Sequence, residues 1–116
     1  MADREKLIIM RGDDKWYVLT FKDADGVAID ITGWTIFMTV KAKMTDADVD
    51  AIITETVTSH FDPTAGQTKV HISSTQSTVA AASYYYDIQV KKDDDEIFTV
   101  MYGDFVVRQD VTLRTS

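Results

Sequence analysis

Hydrophobic and polar positions alternate along most of the chain with a period of two. From Trp16 to Phe21, Tyr17, Leu19 and Phe21 fall on one face and Trp16, Val18 and Thr20 on the other, a pattern that suits a half-buried strand and not a helix of 3.6-residue period. Trp34, Ile36, Met38 and Val40 likewise alternate with Thr35, Phe37 and Thr39, in a run rich in β-branched and aromatic residues. Further strands are expected at Leu7–Met10, Ile52–Thr58, Thr68–Ile72, Tyr84–Lys91, Glu96–Tyr102 and Phe105–Leu113. Turn chemistry separates them at Asp23–Gly26, Asp62–Gly66, Asp93–Asp95 and Gly103-Asp104. The last two strands are expected to close a tight hairpin across Gly103-Asp104. Only Thr45–Ala51 reads as helical, a single turn with Thr45 as its cap and Asp46 and Asp48 at its positive end. About eight short strands with regular turns define an all-β chain, and the expected architecture is an antiparallel β-sandwich with one short helical turn.

A length of 116 residues with a single proline and no linker or repeat is that of one domain, residues 1–116. The 45% hydrophobic content is sufficient for a packed core. Nineteen acidic against twelve basic residues leave a net charge of −7, which repels a phosphate backbone and removes nucleic acid from the expected partners. With no cysteine, disulfides and thiolate zinc sites are excluded, so the sandwich must stand on its core alone. The charged start, Met1–Lys6, leads into an apolar run of only Leu7–Met10, too short for a signal-peptide core or a membrane span.

Individual motifs add little chemistry. Arg11-Gly12-Asp13 spells an integrin-binding tripeptide but sits where a turn between the first two strands is expected. Asp46, Asp48 and Asp50 resemble the opening of a calcium loop, yet Ala51 stands where glycine is needed and Val57 where the bidentate glutamate belongs. Asp93, Asp94, Asp95 and Glu96, like Asp23 and Asp25, read as turns or hairpin tips, which also discourage edge-to-edge aggregation. His60 precedes a turn, and His71 points away from the face that Val70 and Ile72 share. No nucleophile elbow or phosphate loop is present, and the acids fall in turns or on solvent faces where burial does not tune them. The expected protein is therefore not an enzyme and carries no cofactor or metal. Tyr84 and Tyr86 share a face with Ile88 and Val90, whereas Tyr85 points the other way with Asp87 and Gln89. Tyr85 and Trp16 are the candidates for an exposed contact surface.

The stretch Val79–Val90 resembles the sixth strand of an immunoglobulin-like domain, with Tyr84 at the tyrosine-corner position and Tyr86 where antibody domains carry their second disulfide cysteine. Three features in order, Phe21–Gly26 followed by Asp30-Ile31-Thr32-Gly33, then Tyr84–Ile88, then Gly103–Val107 leading to Asp110-Val111-Thr112, are similar to the immunoglobulin-like N-terminal domain of bacteriophage baseplate upper proteins and related small phage tail proteins. The similarity runs from about Trp16 to Thr112, and Ala82 departs from it by standing where that pattern usually carries glycine. The resemblance implies an immunoglobulin-like sandwich that acts as a structural component of a tail or baseplate. It implies homo-oligomers in contact with other phage structural proteins, located in the virion and assembled in the host bacterial cytoplasm, with no catalytic residues carried over. The rival expectation is a carbohydrate-binding or adhesion module that uses Trp16, Tyr85 or loop-borne acids with calcium.

Overall fold

The computed structural model describes residues 3–43, 45–47 and 51–109. Its strands are β1 (Asp3–Arg4), β2 (Leu7–Met10), β3 (Lys15–Thr20), β4 (Thr35–Lys41), β5 (Ile53–Val57), β6 (Gln67–Ile72), β7 (Ala82–Lys91) and β8 (Ile97–Arg108). Six of them form one sheet in the order β1-β8-β7-β4-β5, with β2 following β1 along β8, and β3 pairs with β6 in a second sheet. The two sheets close on a single core. β4 contributes Ile36, Met38 and Val40, β7 contributes Tyr84, Tyr86, Ile88 and Val90, β8 contributes Phe105 and Val107, and the small sheet answers with Leu19, Val70 and Ile72. Strands three, four, six, seven and eight thus occupy the places of the central strands of an immunoglobulin-like sandwich, with β5 as the extra strand beside β4.

Alternation decides which side chains reach this core. In β4 the even positions are buried and the odd ones half-buried, and in β7 Tyr84, Tyr86, Ile88 and Val90 point inward while Tyr85 is exposed. Trp34 stands just before β4, buried, and meets Phe21 and Phe98 edge-on with ring centroids 5.9 and 6.2 Å away. The Tyr84 hydroxyl donates to the Ala80 carbonyl at 2.5 Å, the corner contact of this fold. His60 joins the two sheets: Nε2 donates to the Trp34 carbonyl and Nδ1 meets the Thr68 hydroxyl, each at 2.8 Å. Since Thr68 is fully buried in β6, this pair satisfies a hydroxyl that would otherwise be costly inside the core.

Three expectations change. Glu96–Tyr102 and Phe105–Leu113 are not two strands, because β8 runs unbroken through Gly103-Asp104 and keeps its pairing with β7 there, Tyr86 opposite Gly103 and Tyr85 opposite Asp104; residues 110–113 lie outside the described part. The reversal occurs one turn earlier, in the acidic segment between Lys92 and Glu96, where Asp95 takes the left-handed conformation at φ 68°. The sandwich is also not antiparallel throughout, since β1 and β2 run parallel to β8. Their link to the body is long in sequence, which is what parallel pairing requires. Finally, the α-helical turn lies at Ser74–Ser77. Ser73 and Gln76 form a reciprocal capping box there. Of the expected turn at Thr45–Ala51, residues 48–50 lie outside the described residues, while Asp46 accepts from the Lys43 amide.

Candidate functional site

Trp16 and Tyr85 are both exposed, but they lie on opposite outer faces of the sandwich. Trp16 belongs to β3 and Tyr85 to β7, and each points away from the core between their sheets. The structure therefore offers two separate surfaces.

The first is the outer face of the small sheet. Register places Trp16 beside His71 and Val18 beside Lys69, and Trp16 and Val18 are each 58% exposed. The Trp16 and His71 rings stack at 4.1 Å with an 11° interplanar angle. Lys69 lies over Trp16 at 5.6 Å and over the 51% exposed Phe61 at 4.8 Å. A cation near two rings gathers them into one patch. His71 Nε2 lies 3.3 Å from Asp14 Oδ1, which also accepts from the Ser74 amide. This anchors the imidazole. Among the described residues β3 pairs with β6 alone, so its other edge presents unpaired backbone groups.

The second surface is a shallow groove of about 560 Å³ on the outer face of the large sheet. One row across it reads Thr39, Asp87, Tyr102 and Arg4 from four neighbouring strands, and the next reads Lys41, Tyr85 and Asp104. Tyr85 and Tyr102 are 42% and 41% exposed. Sequence alternation singles out Tyr85 but not Tyr102, because Tyr102 stands at the expected end of a strand that in fact continues.

The acidic clusters serve the backbone. Asp23 accepts from the amides of Asp25 and Val27, and Asp94 from that of Glu96. Asp30 accepts from the amide and hydroxyl of Thr32, which holds its carboxyl below the usual range. Among the described residues no three His, Asp or Glu side chains gather as a metal site. In the Arg11-Gly12-Asp13 turn, Arg11 Nε donates to the Val79 carbonyl at 3.0 Å, so its side chain is tied to the fold.

Two phenols are perturbed by burial. Tyr17 is pushed up to about 12, and its hydroxyl is buried with no hydrogen-bond partner among the described residues. Tyr86, which donates to the Glu5 carbonyl at 2.7 Å, is raised further, first by burial and then by the charges of Glu5 and Tyr17. Below pH 10 both phenols are protonated whether the chain is folded or not. Between pH 10 and about 12 the unfolded chain releases protons that the folded chain keeps, so stability falls as pH rises through this window. Urea midpoints measured across it are expected to decline, and Tyr17→Phe is expected to flatten the decline and raise the midpoint at pH 7, because it removes an unsatisfied buried donor. An unchanged alkaline slope in that variant would remove Tyr17 from the account.

Comparison with known proteins leaves these surfaces to be read on their own terms: no protein-family model matches the chain, and no curated protein matches it in sequence.

Proposed function

We propose that this protein is a non-enzymatic structural subunit of a bacteriophage or prophage virion, a tail or baseplate component that works through protein contacts. The supporting observation is the outer face of the β3–β6 sheet. Trp16, Val18 and Phe61 are more than half exposed there, beside a strand edge with no second partner among the described residues. Large apolar side chains grouped in this way mark protein contact surfaces, and an unpaired edge adds main-chain hydrogen bonds to them. The similarity of Phe21–Gly26, Tyr84–Ile88 and Gly103–Val107 to phage tail domains directs this general reading toward the virion, with assembly in the host bacterial cytoplasm.

The occupant of the face is a second copy of the chain, with other tail proteins joining the assembly. Light scattering over a concentration series is expected to give a discrete homo-oligomer. Val18→Lys, which places a charge at the centre of the patch without touching the core, is expected to reduce it to monomer. A monomer at every concentration, or an oligomer indifferent to Val18→Lys and Trp16→Ala, would overturn this assignment.

A further inference from the structure

The two edges of β3 belong to alternate residues. The Phe21 amide donates to the Gly66 carbonyl and the Phe21 carbonyl accepts from the Ile29 amide, so the main chain of Phe21 is turned toward the β6 side. Main-chain groups alternate in direction along an extended strand. Leu19, Tyr17 and Lys15 therefore turn the same way as Phe21, and the N–H and C=O groups of Trp16, Val18 and Thr20 aim at the edge that has no strand beside it among the described residues. Asp14, Trp16, Val18, Thr20 and Lys22 are also the residues of this stretch whose side chains are exposed. One row thus carries both the outward backbone groups and the apolar patch.

The neighbouring edges are obstructed and this one is not. On β2 the Ile8 carbonyl accepts from Lys15 Nζ at 2.9 Å. Gln67, at the head of the outer edge of β6, exchanges hydrogen bonds with Asp62, and β5 carries Glu55 at its centre. From Trp16 to Thr20 there is no charge, no proline and no break in register, which are the devices that keep an exposed edge from pairing.

The strand that complements this row is β3 itself. Set antiparallel about Val18, two copies of β3 place Val18 opposite Val18, Trp16 opposite Thr20 and Tyr17 opposite Leu19, so every outward N–H and C=O of Trp16, Val18 and Thr20 finds its complement. The same register brings Asp14 of each copy opposite Lys22 of the other. Asp14 serves His71 and the Ser74 amide through Oδ1, and its side chain is 61% exposed, so the second oxygen can face a cation. A shift of two residues in either direction separates Asp14 from Lys22. We propose that two copies join edge to edge through β3 across a two-fold axis at Val18, fusing their small sheets in the order β6-β3-β3-β6. This rests on the reading that a second copy occupies the Trp16 face and specifies how it does so. It also explains why a single charge at Val18 is enough to part the copies, since the two substituted side chains would stand directly opposite each other.

The test uses the full chain labelled with ¹⁵N, its oligomeric state fixed by light scattering and its amide exchange followed at concentrations on either side of the association midpoint. Exchange at Trp16, Val18 and Thr20 is expected to slow about tenfold or more on association, whereas Tyr17 and Leu19, which pair with β6 in either state, keep their rates. In a mixture of labelled and unlabelled chains, a contact between copies is expected from the Tyr17 to the Leu19 α-proton, because Cα atoms in such a pair lie about 4.5 Å apart. Lys22→Asp, which sets a carboxylate against Asp14 at each end of the seam, is expected to weaken association about tenfold and to leave the amide spectrum of the monomer intact. An oligomer whose Trp16, Val18 and Thr20 amides exchange as in the monomer, contacts between copies that lack the Tyr17–Leu19 pair, a trimer, or association indifferent to Lys22→Asp would overturn edge pairing and leave the second-copy reading standing. A monomer at every concentration would overturn both.

Discussion

Gly103→Ala is expected to cost about 2–4 kcal/mol of folding stability and to loosen residues 3–10 before the rest of the domain unfolds. Gly103 has φ 152°, outside the range that L side chains adopt comfortably, and a Cβ placed on it would lie 2.3 Å from the Glu5 carbonyl oxygen and 3.1 Å from its carbon. Both atoms are backbone, so no side chain can swing aside. The Glu5 carbonyl is itself held by the Tyr86 hydroxyl, and the Glu5 amide by the Tyr102 carbonyl at 2.9 Å. The added methyl therefore works against the junction of β1 and β2. Hydrogen exchange should show protection lost first at Glu5 and along Leu7–Met10, with β4 and β7 retaining theirs. Protection in β2 equal to that of the parent would show that the close approach is not a constraint.

The two tryptophans make the second large prediction. Trp34→Ala is expected to destabilise by about 3–5 kcal/mol, whereas Trp16→Ala is expected to cost under about 1 kcal/mol. Trp34 is 7% exposed and stands between Phe21 and Phe98, so truncation opens a cavity beneath two further rings and beside the His60 link between the sheets. Trp16 is 58% exposed and touches only surface partners, the His71 ring stacked on it and the Lys69 ammonium over it. Chemical denaturation of the pair separates a core residue from a contact residue of identical chemistry. Comparable losses in both would place Trp16 in the core and remove the face on which the proposed assembly rests.

The sandwich was legible because its buried strands alternate strictly. Trp34 through Val40, and Tyr84 through Val90, put every second residue in the core, and no helical period competes with that pattern. Gly103-Asp104 was misread as a turn between two strands. A glycine followed by an aspartate serves a reversal, but a glycine also serves where another backbone presses close, and local sequence does not distinguish the two. The capping box at Ser73 and Gln76 was readable, since serine followed three residues later by glutamine is a helix start; only its shortness conceals it. The two-residue β1 carries no signal of its own. Of the contact surfaces, the outward direction of Trp16 and Tyr85 follows from parity, but their assignment to opposite faces requires knowing which strands share a sheet. The groove joins Arg4, Lys41, Asp87 and Tyr102 from four strands spread over the chain, and nothing in their spacing announces it.

The parallel pairing of β2 with β8 bears on how the domain carries load. Leu7 lies opposite Phe105 and Met10 opposite Arg108, so the two strands run in the same direction and the chain enters at one end of this seam and leaves at the other. A pull applied between the entering and leaving chain drags the strands past each other along their axes. The four register pairs then resist together and do not open one at a time, as they would if the strands were antiparallel. Forced unfolding is governed by the barrier to leaving the native state and not by equilibrium stability, so this one arrangement is expected to raise resistance to pulling without a matching rise in equilibrium stability.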